Sequence, residues 1–455
     1  ANQRDLLQFE RWYSQAGTPL LHAEGAWDGS AGSYSLTLTQ RTPEGRTDFE
    51  PTLMPVRIGL LGPDGRDQPL VLESESREAG RDVDPDAPTE RVLELTQARS
   101  TFVFTGLAAE PVPSILRGYS APVILVLDRT PQQLAFLLRH DSDPFNRWDA
   151  GQTLFGGAVL DLAADRLAGR PLALEPSLVE AFRAVLLDAS IDGSMRAQTL
   201  TLPAERELAQ RMHPLEPDAL REAREFLRRE LARALRAELT GIYSALAPTG
   251  PYSNDKAQID RRRTRNCALG YLTSLDEPET TGLAWAQFQS ADNMTDSQAA
   301  LTCLARLDVP ERTRALEEFH TTWAQDPLVI DKWFMIQAIS SLPGAVARVQ
   351  ALAAHPDFQA NNPNRLRSLV TAFSTENHAG FHDPSGEGYA FVADHVLALD
   401  PKNPALAARL SGAFLQWRRL EPGRREWMKA QLERIAGTDE LSSNTAEIVG
   451  RALGD

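Results

Sequence analysis

Pro122-Val123-Ile124-Leu125-Val126-Leu127, followed by Asp128 and then Arg129-Thr130-Pro131, marks the point where the pattern of this chain changes. Upstream, apolar residues recur at every second position; downstream they recur every three to four, the period of a helix. The chain therefore reads as multidomain and mainly α, with one β domain placed before a long helical one.

On the upstream side Tyr34, Leu36 and Leu38 alternate with Ser35, Thr37 and Thr39. Val56, Ile58 and Leu60 alternate with Arg57 and Gly59, and Phe102 and Phe104 flank Val103. Pro43-Glu44-Gly45, Gly62-Pro63-Asp64-Gly65 and the polar stretch 76–89, which contains Asp84-Pro85-Asp86, supply turns between these runs. Roughly seven short strands at this spacing predict an immunoglobulin-like β-sandwich over residues 20–127, without the disulfide of that fold. Before it, Leu6, Phe9 and Tyr13 fall on helical spacing and Gly17 and Pro19 supply a stop. Residues 1–19 thus read as the last helix of a preceding domain.

On the downstream side Leu178, Phe182, Val185 and Leu186 form one stripe, and Leu220, Phe226, Leu227, Leu231 and Leu235 another. Thr295-Asp296-Ser297-Gln298 reads as a capping box, and Leu342-Pro343-Gly344 and Asn362-Pro363 as breaks. About a dozen or more such segments without one fixed period predict a superhelical, HEAT-like α domain over residues 128–455.

With 455 residues the chain exceeds what one core sustains, so two or more domains are expected. Its 62 acidic against 47 basic residues, a net charge of −15, argue against nonspecific nucleic-acid binding. The two cysteines, Cys267 and Cys303, lie in helical patterns and read as reduced structural residues. No apolar run is long enough to span a bilayer, and charged residues by position 5 leave no apolar signal core, so no membrane role and a cytoplasmic location are expected.

The basic run Arg221 to Arg236 is interleaved with Glu222, Glu225 and Glu230 at helical offsets, which reads as a solvated, salt-bridged helix face rather than an anion site. Arg261-Arg262-Arg263-Thr264-Arg265 is denser and open to a second reading, contact with an acidic partner domain. Trp148, Trp323, Trp333 and Phe334 read as core. None of the eight histidines forms His-Glu-x-x-His, the helical spacing that grips a zinc ion. The nearest approach, His378 and His382, has Gly380 between the two and Pro384 just beyond. It reads as a surface pair in a loop or at a helix end, so no metal site is expected.

Several ordered segments carry a family resemblance. Arg11-Trp12-Tyr13-Ser14-Gln15-Ala16-Gly17-Thr18-Pro19, Leu36-Thr37-Leu38-Thr39-Gln40-Arg41-Thr42-Pro43, Arg147-Trp148-Asp149-Ala150, Asp331-Lys332-Trp333-Phe334 and Asn362-Pro363-Asn364-Arg365-Leu366-Arg367-Ser368 resemble the downstream half of the bacterial aminopeptidase N family of zinc metallopeptidases. The resemblance implies a parent of four domains, of which this chain holds the β-sandwich and the helical cap. The zinc, the His-Glu-x-x-His helix and the Gly-Ala-Met-Glu-Asn segment would belong to the missing catalytic domain, the intramolecular partner. By itself the chain is then expected to be inactive, without catalytic residues, while its cap shapes the chamber through which peptide substrates pass. By motif position the resemblance places Arg365 and Arg409 on the chamber wall, where a guanidinium can pair bidentately with a peptide carboxylate. The family often has glutamine where this chain has Ala405. Two alternatives stand beside this: both arginines as internal salt bridges, and the whole chain as a free-standing α-solenoid that binds peptides or proteins without catalysis.

Overall fold

In the computed structural model residues 5–42, 49–75 and 87–454 are described. The expected turn Pro43-Glu44-Gly45 and most of the polar stretch 76–89 lie outside them. Packing divides the chain into two units. The first runs through Phe155 and adds Pro176–Ile191 and Gln198–Leu200; the second holds Gly156–Glu175, Asp192–Ala197 and everything from Thr201 onward.

Among the described residues the first unit contains eight strands, one more than the pattern suggested: β1 (Leu20–Asp28), β2 (Ser33–Arg41), β3 (Met54–Leu61), β4 (Val71–Leu72), β5 (Arg91–Leu95), β6 (Arg99–Thr105), β7 (Val112–Ile115) and β8 (Ile124–Val126). They form a five-stranded sheet in the order β4-β6-β2-β1-β8 and a three-stranded sheet in the order β5-β3-β7. Alternation works as read: Tyr34, Leu36 and Leu38 point inward from β2 and meet Val56, Ile58 and Leu60 of β3 in one core. Pairings are antiparallel except β1 with β8, which run parallel from Leu20 opposite Ile124 to His22 opposite Val126. The Gly62–Gly65 turn forms as expected, with Gly65 at φ +79° and its N–H donated to the Gly62 carbonyl.

One buried ion cluster braces this unit. Arg117, 1% exposed, donates to Asp67 at 2.6 Å, Asp141 at 3.1 Å and the Ser114 hydroxyl at 2.9 Å. A Cβ at Gly59 would lie 2.1 Å from the Arg117 guanidinium carbon, so only glycine lets this side chain cross β3. The amino-terminal helix is shorter than its apolar spacing suggested, a single turn at Arg11–Ser14. Side chains of Gln8, Arg11 and Trp12 hold the segment to sandwich carbonyls at Pro51, Leu53 and Thr96, and leave Leu6, Leu7 and Tyr13 exposed.

In the second unit helices pack on their neighbours in sequence: Arg236–Ala245 on Lys256–Leu272, Pro278–Ser290 on Met294–Leu304, Glu387–Leu399 on Pro404–Ser411. The stripe Leu220, Leu227 and Leu231 is buried in the helix Pro217–Ala234, with Leu235 just past its end. Gly344, at φ +75°, precedes the helix Ala345–Ala353, and Asn362 caps Pro363–Leu366. The expected cap at Thr295 is corrected. Asn293 caps Met294–Leu304, accepting from the Asp296 N–H at 3.0 Å, because asparagine two residues upstream offers an equally good acceptor. Among the described residues no helix is long and apolar enough to cross a membrane, and Cys267 and Cys303 are free and half-buried.

Both basic runs are more internal than they read. In the first, Arg224 and Arg228 turn inward to the carbonyls of Pro203 and Gly270, while Arg233 and Arg236 make exposed ion pairs with Glu230 and with Glu277 and Glu279. In the second, Arg262 and Arg265 are buried, donating to the Ser253 carbonyl and the Gln287 side chain and lying over the rings of Tyr252 and Tyr243. Neither arginine is available to a partner domain.

Candidate functional site

The second unit's concave polar feature is built around His378. Asn377 caps the short helix His378–Phe381, accepting from the Gly380 N–H, and its amide donates to the Ala338 and Ser340 carbonyls at 2.8 and 2.9 Å. A Cβ on Gly380 would meet Phe373 at 2.6 Å, and one on Gly388 would meet the Gly380 carbonyl oxygen at 2.4 Å. Gly380, the glycine that suggested a loop, is therefore required by close packing on Phe373 and Ala345, and Gly388 by the approach of the helix Glu387–Leu399 to this one.

That packing buries both histidines, at 8% and 7% exposure, which corrects the reading of a surface pair. Their rings lie 5.2 Å apart, but His382 Nδ1 is bonded to the Tyr389 hydroxyl at 2.8 Å, and its carbonyl accepts from Arg424. His378 Nδ1 is buried without a hydrogen-bond partner. Burial, with the Arg206 charge added, pushes the His378 imidazole down to about 4, so the ring is neutral at physiological pH.

His378 stands between two cavities. One, of about 120 Å³, is walled by charge: Glu205, Arg206, Arg224, Glu225, Arg306 and Glu376. The other, of about 230 Å³, shares Arg206 and Thr375 with it and is lined by Leu215, Phe381, Leu420 and Met428. Arg206 pairs with Glu376 at 2.9 Å at the rim. Glu225 lies 3.6 Å from Arg224 and 3.7 Å from Arg228; burial pushes its carboxyl up, but Arg228, Arg224 and Arg306 outweigh that and hold it below the ordinary range. Glu205 goes the other way, since burial raises it more than Arg224 lowers it. Arg306 keeps solvent contact, yet desolvation and the Arg228 charge depress its guanidinium. Two carboxyls shifted in opposite directions beside an unsatisfied imidazole can accept and donate hydrogen bonds to a polar ligand. Thr375 is not poised as a nucleophile, because its hydroxyl donates to the Thr371 carbonyl at 2.8 Å.

The two arginines singled out from the sequence differ. Arg365 is buried, its Nε donating to Asp331 at 2.6 Å, Nη1 to the Asp357 carbonyl and Nη2 to the Pro327 carbonyl at 3.3 Å, with its guanidinium carbon 4.9 Å from the centre of the Phe334 ring. Arg409 is exposed on the helix Pro404–Ser411 and has no hydrogen bond or ion pair among the described residues. Neither lines the two cavities beside His378. Trp333 and Phe334 are core as read; Trp323 is 37% exposed.

A different histidine group escaped the sequence reading. His320, His355 and Asp357 are the only three described residues of metal-binding type whose ligand atoms gather, all within 4.8 Å of one another. They come from two segments, His320 from one and His355 with Asp357 from the other, and no short motif announces them.

Comparison with known proteins gives this architecture a family. Residues 131–454 match the model described as a domain of unknown function (DUF3458_C) with ARM repeats, and residues 17–128 match its companion (DUF3458) of Ig-like fold. The chain belongs to this family, combining an Ig-like domain with an ARM-repeat domain. It is 37% identical over 455 residues to aminopeptidase N of Escherichia coli (strain K12), and 41% identical over 457 to that of Caulobacter vibrioides; each match covers 100% of this chain, and 51% and 50% of the relatives. A crystal structure of Legionella pneumophila aminopeptidase A in complex with aspartic acid is similar over 99% of this chain and 50% of its own, with TM-score 0.83 and 27% identity. The chain spans about half the length of the curated relatives it matches, and its domain order fits the C-terminal half of aminopeptidase N. The His-Glu-x-x-His spacing of a peptidase zinc helix does not occur in this sequence, so no helix of this chain supplies that donor set.

Proposed function

We propose that this chain is the non-catalytic C-terminal part of a zinc aminopeptidase that removes N-terminal residues from peptides, its helical domain capping the active-site chamber and lining the peptide route. The match of the whole chain to half of aminopeptidase N carries this reading. The charged cavity beside His378 supports the lining role, because an unpaired imidazole and opposed carboxyl and guanidinium groups suit the amides and termini of a peptide. Arg409, exposed and unpaired among the described residues, is the proposed carboxylate clamp. Arg365, engaged on every nitrogen, supports its neighbours instead. A cytoplasmic location belongs to the same reading and rests on the acidic composition and free thiols.

The test is hydrolysis of alanyl and leucyl anilides, with zinc supplied, by this chain alone and after mixing with the separately produced upstream half of its parent. Silence alone and turnover on mixing are expected. Turnover by the chain alone, or silence of a mixture shown to associate, overturns the reading. In the full-length enzyme Arg409→Ala is expected to weaken longer peptides more than an anilide, and equal effects would remove the clamp.

A further inference from the structure

We propose that His320, His355 and Asp357 form a binding site for one zinc-class divalent cation, with a fourth position left to water. His320 lies on the helix Pro310–Trp323, while His355 and Asp357 lie beyond the helix Ala345–Ala353, so the ion would clip two separate segments together.

The donor atoms are already close. His320 Nε2 is 2.7 Å and His355 Nδ1 3.7 Å from the same Asp357 carboxylate oxygen. Tetrahedral zinc with bonds of about 2.0–2.2 Å sets neighbouring donors roughly 3.3–3.5 Å apart. The first separation must open by roughly 0.6–0.8 Å and the second close by roughly 0.2–0.4 Å, and all the donor atoms already lie within 4.8 Å of one another, distances that side-chain rotation can span. Two imidazoles and one carboxylate, without thiolate, make a donor set that suits zinc better than magnesium or calcium.

The rings are also held ready. His355 Nδ1 accepts the Asp357 backbone N–H at 3.2 Å, which places the ring proton on Nε2 and keeps the imidazole neutral; an ion bound at Nδ1 would take that lone pair in place of this hydrogen bond. Trp333, anchored by its indole N–H to the Leu316 carbonyl at 2.9 Å, packs 4.7 Å from the His320 ring and 5.3 Å from His355. Phe334 backs His355 at 5.9 Å. Arg365 grips the Asp357 carbonyl and is itself neutralised by Asp331, so it acts as a positioning residue for the loop. The three side chains keep 26%, 30% and 40% exposure, which leaves an entry path from solvent. The plain alternative is a His320–Asp357 hydrogen bond that joins the segments with no ion.

The experiment is a calorimetric titration of the chelator-stripped 455-residue chain with Zn²⁺, followed in parallel by tryptophan fluorescence. One saturable equivalent and a change in emission are expected. His355→Gln and Asp357→Asn should each weaken that equivalent more than about tenfold, and His22→Gln should leave it intact. If either variant fails to fold, Co²⁺ added to the unmodified chain decides, because tetrahedral nitrogen and oxygen ligation gives visible d–d bands. Absence of a saturable equivalent, of those bands, or of any effect of folded variants overturns the proposal.

Discussion

His378 and His382 stand one helical turn apart, yet their ring nitrogens serve different tasks: Nδ1 of His378 is buried without a partner, and Nδ1 of His382 is bonded to Tyr389. His320 and His355 lie on separate segments, yet each has a ring nitrogen near one carboxylate oxygen of Asp357, at 2.7 and 3.7 Å. Close spacing in sequence produces a hydrophobically buried, neutral pair, and distant spacing produces the group with the chemistry of a ligand set. The difference teaches that a histidine's role follows from what desolvates it and what faces it, not from its interval to the next histidine.

The largest expected effect breaks the first corner with acid. His378 in the folded chain is held at about 4, against about 6.5 unfolded, so between those values the unfolded state binds the extra proton and stability is lost as pH falls. Each pH unit in that window removes up to about 1.4 kcal/mol for this group. Denaturant midpoints at pH 7 and pH 4.5 should show a steep acid limb that His378→Gln flattens; an unchanged slope would mean the ring is not desolvated in solution. Gly388→Ala follows, with a loss of about 2–3 kcal/mol, because the new methyl meets backbone oxygens that cannot yield. Chemical denaturation of that variant checks it.

For the second corner Arg365→Ala should cost about 2–3 kcal/mol by the same measurement, since it leaves the Asp331 carboxylate, only 17% exposed, and the Asp357 carbonyl without their donor. Arg409→Ala is the smallest, within about 0.5 kcal/mol, because an exposed guanidinium without an ion pair among the described residues supports nothing local. A large loss there would make Arg409 structural and sharpen the contrast in the opposite sense.

The architecture was readable because its signals are local. Inward alternation at Tyr34, Leu36 and Leu38 and the change of period at Pro131 need only neighbours in the chain. The site was less so. Arg224 and Arg228 look like any charged helix face until the carbonyls of Pro203 and Gly270 are brought to them, and the same holds for Arg262 and Arg265. His320 and Asp357 meet only through tertiary packing, so no spacing rule reaches them. Asn293 is itself a local signal, an asparagine two residues ahead of Thr295 and in place to cap the helix.

The parallel pairing of β1 with β8 has a mechanical meaning. The chain enters the sandwich at Leu20, beside Ile124, and leaves past Val126, beside His22, so its entry and exit lie at opposite ends of the shared ladder. Tension drawn along the polypeptide therefore loads those cross-strand bonds together, in shear, where an antiparallel closure would let them unzip one after another.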